Sequence, residues 1–245
     1  MKLFRTVIML YNVPIFLAVL VGLVTVAMAQ TQALPPDVGL VSKLSGHVTY
    51  VNNCYQKSPA MAQAFMKIRL GDRFELQAEA LVQLVYFLGG RQETWKGPAV
   101  FTADDSQSYP ETQVQPSVRI LPAGTVQGVR RIPVLLQRSG VSRPGATLIR
   151  GGVDKPTTAI VLTQQEKAEI AAAKETYRSL RNQTDPGDIT PELYLLGILT
   201  DYEQYSEMEG VIEEALRRQP NNDILKGLRE WVHARSSQDR SPSSK

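Results

Sequence analysis

The sequence predicts an α+β fold in which a small antiparallel β sandwich or roll precedes a region of α-helical hairpins. The first observation is a series of short apolar runs between residues 38 and 104 that are separated by Gly and Pro, which is the pattern of strands joined by tight turns. The second is helical periodicity from residue 163 onward, where apolar residues recur at spacings of three and four. We therefore expect a β domain over residues 38–104 and a helical region over residues 161–236.

Composition and charge limit the function classes. The chain has 245 residues, of which 43% are hydrophobic and 21% are charged, so it has room for one or two domains. A net charge of +3 does not indicate the concentrated basic surface that nucleic-acid binding requires. The single cysteine, Cys54, excludes an intramolecular disulfide and any multi-thiolate metal site.

The first 29 residues have the features of a secretory signal peptide. Two basic residues precede a mainly apolar run over residues 7–26, and the run leads into Ala27-Met28-Ala29, which matches a small-x-small cleavage site. We expect cleavage before Gln30 and export to the periplasm. The alternative is an uncleaved anchor, because about twenty mostly apolar residues suffice to span a bilayer.

The β domain is predicted from turns and apolar runs. The V-x-x-L-x-G-x-V pattern over residues 41–48 predicts a first pair of strands, and residues 52–64 are interpreted as a connecting loop. After the Gly71-Asp72 turn, the run over residues 80–87 is apolar at both odd and even positions. We therefore expect a strand that is covered on both faces and lies at the centre of the sandwich.

Residues 105–160 are interpreted as a linker with possible extra strands. Apolar runs over residues 118–121 and 132–136 favour strands, but Pro and Gly interrupt them. Residues 129–150 contain five arginines and no acidic residue. Two readings of this basic run stay open: a solvated linker face, or contact with an anionic partner.

Cap residues mark the predicted helices. Thr163 and Glu166 form a capping box at the start of the first helix, and Thr190 before Pro191 is interpreted as the N-cap of the second. A third helix follows, and Asn222 is expected to cap a fourth. The Ser-rich end, residues 237–245, predicts a disordered tail.

Residues 70–101 resemble the core of a FecR-like domain, a small β module of bacterial cell envelopes. The resemblance rests on the Gly71-Asp72 turn, the strand of small and apolar residues that follows it, and the closing Gly97-Pro98. Gly89 occupies a position where that family typically has an acidic residue. The resemblance covers residues 38–102 and implies that the protein acts in the envelope.

Residues 192–222 resemble one tetratricopeptide repeat. The matching positions are Tyr194, Leu196 and Gly197 in the first helix and Tyr205, Met208, Ala215, Leu216 and Pro220 from the second helix to its end. Such repeats bury their faces on neighbours, so the flanking helices are expected to supply that burial. The resemblance implies that Gly197 lets the second helix approach closely. We expect Ala to be tolerated at this position and a larger residue to overpack the face formed by Met208 and Ala215.

Few residues in the sequence have the arrangement that catalysis requires. His47, Cys54 and His233 do not form a plausible nucleophile set, and no catalytic, cofactor-binding or metal-binding residue is predicted. Trp95 either stacks on a sugar or packs at the edge of the domain. The candidate interaction or packing residues are Trp95, Tyr194, Gly197, Tyr205 and Trp231.

Three function classes remain. The favoured one is a non-enzymatic, exported protein of the bacterial envelope that acts as a protein-binding or polymer-binding scaffold module. The alternative is a FecR-type signal relay, although only six residues precede the apolar run where such regulators carry a cytoplasmic segment. An exported enzyme is the third. The expected partner is another envelope protein, with possible contact to a glycan or peptidoglycan. We expect no nucleic acid, and membrane contact only through an uncleaved signal segment.

Overall fold

A computed structural model describes residues 33–141 and 162–240 of the chain, and for residues 238–240 only the backbone is considered. These residues contain ten strands and six helices. From Leu34 onward they belong to one compact unit. The predicted signal peptide, residues 142–161 and residues 241–245 lie outside the described part.

The strands form two antiparallel sheets of five strands each. The strands, numbered in chain order, are β1 Asp37–Ser45, β2 Val48–Asn52, β3 Gln56–Met61, β4 Lys67–Arg69, β5 Arg73–Leu76, β6 Leu81–Tyr86, β7 Arg91–Lys96, β8 Ala99–Ala103, β9 Ser108–Pro110 and β10 Ser117–Ile120. Sheet 1 has the order β10-β7-β6-β1-β4, and sheet 2 has the order β3-β2-β5-β8-β9.

The helices follow the sheets. Two short helices, α1 and α2, come directly after β10, and four longer ones make up the C-terminal part. The bounds are α1 Thr125–Val129, α2 Ile132–Ser139, α3 Gln164–Gln183, α4 Thr190–Asp201, α5 Tyr205–Arg218 and α6 Asp223–Arg240. The predicted α+β fold, with a β-rich N-terminal part and a helical C-terminal part, is confirmed.

Strand β6 lies in the middle of sheet 1 and is buried on both faces. Its residues Val82, Leu84 and Tyr86 belong to the core between the two sheets. Val85 belongs to a second core, which sheet 1 shares with the helices. Since successive side chains of a strand point to opposite faces, the apolar run at both odd and even positions produces three layers: sheet 2, sheet 1 and helices.

An aromatic stack fills the core between the sheets. The ring centroids of Trp95 and Phe101 are 4.3 Å apart, and those of Phe101 and Phe74 are 5.2 Å apart. The register of the strands places these rings together, because β5 pairs with β8 so that Phe74 lies opposite Phe101. Each of the three rings is fully buried.

Several strand predictions are wrong in detail. β1 and β2 do not pair with each other, because β1 pairs with β4 and β6 while β2 pairs with β3 and β5. The predicted loop over residues 52–64 contains β3. β9 lies within residues 105–160, for which the sequence left extra strands open. Both are strands at the ends of sheet 2. Exposed edge strands bury little side-chain surface, so their sequences lack an apolar signal.

The described part of the predicted linker, residues 105–141, contributes to the folded core. Leu121, Val129 and Leu135 are buried in the core that sheet 1 shares with the helices. The run over residues 132–136 is helical rather than extended, with Pro133 in the first turn of α2, where Pro is tolerated. Its apolar residues at spacings of three and four bury one helical face. Residues 237–240 of the predicted tail belong to α6, which continues to Arg240, and residues 241–245 lie outside the described part.

Candidate functional site

An open cleft of about 700 Å³ lies where sheet 1 meets the helical layer. The end of β1 and the loop before β4 form one wall, and the turn between α5 and α6 forms the other. Its described lining consists of Lys43, Leu44, Ser45, Gln63, Ala64, Val141, Gln219, Pro220, Asn221, Asn222, Asp223 and Ile224. Junctions between structural layers are common places for ligand sites.

The helical wall of the cleft is fixed by caps. The helix α5 ends before Pro220, and Asn222 then caps α6, as predicted, by accepting a hydrogen bond from the Leu225 N–H at 3.2 Å. The Asn222 side-chain amide also donates to Gln219 Oε1 at 3.0 Å. The two amides therefore hold each other in place at the wall.

The N–H group of one amide at this wall lacks an acceptor among the described residues. The Nε2 atom of Gln219 is buried, and within the described residues it has no hydrogen-bond partner. A buried amide N–H without an acceptor costs about 1–3 kcal/mol. The atom has almost no exposed surface, so an acceptor on a bound molecule would reach it only after the Gln219 side chain turned toward the cleft.

The cleft presents neutral polar groups of both kinds. Each of Gln63, Gln219 and Asn221 carries a donor and an acceptor, and among the described lining residues only Lys43 and Asp223 are charged. Apolar surface from Leu44, Pro220 and other residues completes the lining. This arrangement fits a neutral ligand that has both hydroxyl or amide donors and oxygen acceptors.

Trp95 is not available for stacking on a sugar. It is fully buried between the sheets, and its Nε1 donates to Glu93 Oε2 at 3.0 Å. Glu93 is equally buried and also accepts from the Ser108 N–H at 3.2 Å. The position of Trp95 at the edge of the domain is therefore a wrong prediction, and its role is packing in the centre of the sandwich.

Gly197 and Tyr194 contact a different helix from the one expected. A Cβ at position 197 would lie 1.9 Å from the carbonyl oxygen of Gly128, which belongs to α1. Tyr194 is buried beside the same glycine. The close approach that the glycine permits is therefore made with α1 and not with Met208 and Ala215 of α5. Alanine at position 197 would collide with backbone, so its predicted tolerance is wrong as well.

Tyr205 and Trp231 contact each other between α5 and α6. Their ring centroids are 5.5 Å apart with the planes at 80°, which is an edge-to-face arrangement. The guanidinium carbon of Arg235 lies 5.0 Å from the Trp231 ring centroid. Tyr205 is buried and Trp231 is half-buried, so the pair stabilises the packing of these two helices. The predicted site residues thus occupy three separate places in the fold.

A buried acidic residue that sequence reasoning missed joins three helices. Glu192 of α4 is fully buried and accepts from Arg181 of α3 at 3.0 Å. The hydroxyl of Tyr177 donates to Glu192 at 3.2 Å, and Arg218 of α5 lies 3.5 Å away. Burial, followed by the charge of Glu192, raises the pKa of Tyr177.

A second buried acid, Asp188, joins the helices to sheet 1. Gln92 of β7 donates to Asp188 at 3.1 Å, and Arg119 of β10 lies 3.3 Å from the same carboxylate oxygen. The other oxygen accepts from the N–H of Thr190 at 2.8 Å. Asp188 therefore satisfies the first N–H of α4. Thr190 is the first residue of that helix, and its predicted role as N-cap is wrong.

The structure does not bring together the three side chains considered for nucleophilic chemistry, which are His47, Cys54 and His233. His47 and Cys54 are exposed at opposite ends of β2, a strand of five residues and roughly 16 Å. His233 lies in α6, where its Nδ1 is 2.7 Å from Glu209. In the described residues, no three His, Cys, Asp or Glu side chains come together in a way that could hold a metal ion.

None of the helices that the structure describes has both the length and the apolar composition needed to cross a membrane. Comparison of the chain with protein-family models, with curated proteins and with solved structures found no match.

Proposed function

We propose that this protein is a non-enzymatic binding module of the bacterial cell envelope, exported from the cytoplasm, and that it holds its ligand in the cleft between sheet 1 and the helical layer. The observation that carries the proposal is the cleft itself, whose two walls carry the side-chain amides of Gln63, Gln219 and Asn221 among the described lining residues. The predicted signal peptide and the resemblance of residues 38–102 to a FecR-like domain support a location in the envelope.

The chemistry of the cleft favours a neutral polymer segment or a polypeptide backbone. Amides on both walls offer donors and acceptors at once, as hydroxyl groups of a glycan or peptide groups of a protein would require. Because the walls come from a sheet and from a capped helical turn, they need little reordering on binding, which favours affinity.

Site-specific photocrosslinking in the exporting host tests the proposal. A photoreactive amino acid at Asn221, in the helical wall, should crosslink to an envelope component that co-purifies with the chain. The matched control is the same amino acid at Tyr109, which is exposed on β9 at the far edge of sheet 2. The expected result is a discrete adduct from position 221 and none from position 109.

A second variant connects the adduct to the amide. Replacing Gln219 with Leu removes an amide from the cleft wall and should reduce the adduct. The unfolding midpoint should change little, because the gain from removing an unpaired buried N–H is offset by the loss of the hydrogen bond from the Asn222 amide to Gln219 Oε1. Equal adducts from positions 221 and 109, or an adduct unaffected by Gln219→Leu, would contradict a ligand site in the cleft.

A further inference from the structure

The four edge strands of the two described sheets differ in how they are protected against pairing with a strand of another chain. An unpaired edge is a template for another strand, and proteins commonly block it with Lys, Pro or very short strands. β3 contains Lys57 and Pro59 and ends one edge of sheet 2, while β9 has only three residues and ends in Pro110. β4 also has three residues, and its Lys67 is charged and exposed.

β10, at the other end of sheet 1, lacks these features. It contains neither Lys nor Pro, and Val118 and Ile120 are 42% and 62% exposed. Its one charged residue, Arg119, points to the opposite face and contacts Asp188 and the carbonyl of Gln183. The β10 edge, defined as Ser117–Ile120, is therefore an apolar edge without a charged or Pro residue that blocks it.

The register shows which main-chain groups of β10 face outward. Leu121 N–H donates to the Gly90 carbonyl at 2.9 Å, and Arg119 lies opposite Gln92 in the same ladder. Since hydrogen-bonded pairs alternate along antiparallel strands, the N–H and C=O groups of Arg119 point to β7. Those of Val118 and Ile120 point away from it, and β10 has no other strand neighbour among the described residues.

We propose that the β10 edge binds an extended segment of a protein partner, which adds to sheet 1 as a sixth strand. An extended backbone matches the two outward pairs of N–H and C=O groups. Residues opposite Val118 and Ile120 would be apolar. The residue between them would be acidic, because it faces the partly exposed guanidinium of Arg119.

A second copy of the chain fits this edge poorly. Antiparallel self-pairing that joins Val118 to Ile120 of the other copy places Arg119 opposite Arg119, and like charges in that position are destabilising. A short peptide of a different sequence does not place two like charges opposite each other.

Titration of the exported chain with a synthetic capped peptide tests the proposal. The probe has the sequence Thr-Val-Asp-Val-Thr, and its N-methylated form, which lacks donors on the pairing edge, is the control. Backbone amide signals of Val118 and Ile120 should shift with the first peptide and not with the second. A lysine in place of the aspartate should weaken binding.

Two variants separate strand addition from other modes of binding. Val118→Pro removes an outward N–H, leaves the hydrogen bonds to β7 in place, and should weaken peptide binding about fivefold or more, the order of one main-chain hydrogen bond. Val118→Thr keeps the N–H and should bind like the wild type. Failure of the wild type to bind the peptide, or equal binding by Val118→Pro, would overturn the proposal. A wild-type dimer that Val118→Pro dissociates in sedimentation velocity would assign the edge to a second copy instead.

Discussion

Gly128 of α1 and Gly197 of α4 pack against each other where the two helices cross. A Cβ at position 197 would lie 1.9 Å from the Gly128 carbonyl oxygen, and a Cβ at position 128 would lie 2.3 Å from the carbonyl oxygen of Tyr194. Neither distance is sterically possible, so the crossing depends on the absence of both side chains. The contact ties the helix that follows sheet 1 to the first hairpin of the C-terminal region.

Gly197→Ala should therefore destabilise the protein. Moving the helices apart to admit a methyl group costs about 1–3 kcal/mol, to be measured by urea unfolding. The matched control is Gly210→Ala in α5, where a Cβ meets nothing within 4 Å. The control should stabilise by about 0.5–1 kcal/mol, since Ala is the better helix former. Equal effects of the two substitutions would mean that the helices do not cross as described.

Glu192→Gln should cost about 3–5 kcal/mol, because removing one member of a buried ion pair leaves Arg181 without a counter-charge and Arg218 with Glu214 alone. Glu207→Gln is the control, since the exposed pair of Glu207 with Lys174 contributes at most about 1 kcal/mol. Both values come from denaturant unfolding curves. A cost for Glu192→Gln no larger than that of the control would contradict the buried network.

Asp72 should make stability depend on pH. Burial raises its pKa, although hydrogen bonds from Arg69, Tyr55 and Asn52 oppose the shift. A carboxyl group with a raised pKa binds more protons in the folded state, so its contribution is fully present below the unfolded-state pKa near 4 and is lost as pH rises through the folded-state pKa.

The measurement is the free energy of unfolding from about pH 3.5 to about pH 7, which extends from just below the ordinary carboxyl pKa to roughly three units above it. The difference between wild type and Asp72→Asn should fall as pH rises. Tyr55→Phe removes a hydrogen bond to Asp72 of 2.7 Å that lowers its pKa, and it should steepen the fall. A difference that grows with pH would show that the folded state favours the carboxylate.

A fragment that ends at Gly140 should not fold as the full chain does. Without α3–α6, the helix-facing side of sheet 1 exposes Leu40 and Val85, which are fully buried in the complete chain. Gln92 also loses its acceptors Asp188 and Thr190. We expect aggregation or poorly dispersed amide signals, compared with the full chain under the same conditions. Cooperative unfolding of the fragment would instead support the domain boundary that the sequence predicts before Thr163.

Local signals in the sequence identified the features that depend on near neighbours. The capping box of Thr163 with Glu166 is present, and Asn222 caps α6, because a cap involves residues only three apart. The apolar run of β6 likewise revealed a strand covered on two sides.

Contacts between distant residues could not be predicted in the same way. Gly197 signalled a close approach, but nothing in the chain distinguishes Gly128 from other glycines as its neighbour. The burial of Glu192 depends on arginines from two other helices, and Asp188 takes its partners from β7 and β10. The cleft was missed for the same reason, since its walls come from segments that are remote in sequence.

The sharing of sheet 1 between two cores has a consequence for synthesis. The chain is made from its N-terminus, so all ten strands leave the ribosome before the helices that cover Leu40 and Val85. During that interval Leu40 and Val85 on one face of sheet 1 are uncovered, and exposed apolar surface makes the chain prone to aggregation. A chaperone that holds the nascent chain until α4 has emerged would raise the yield of native protein.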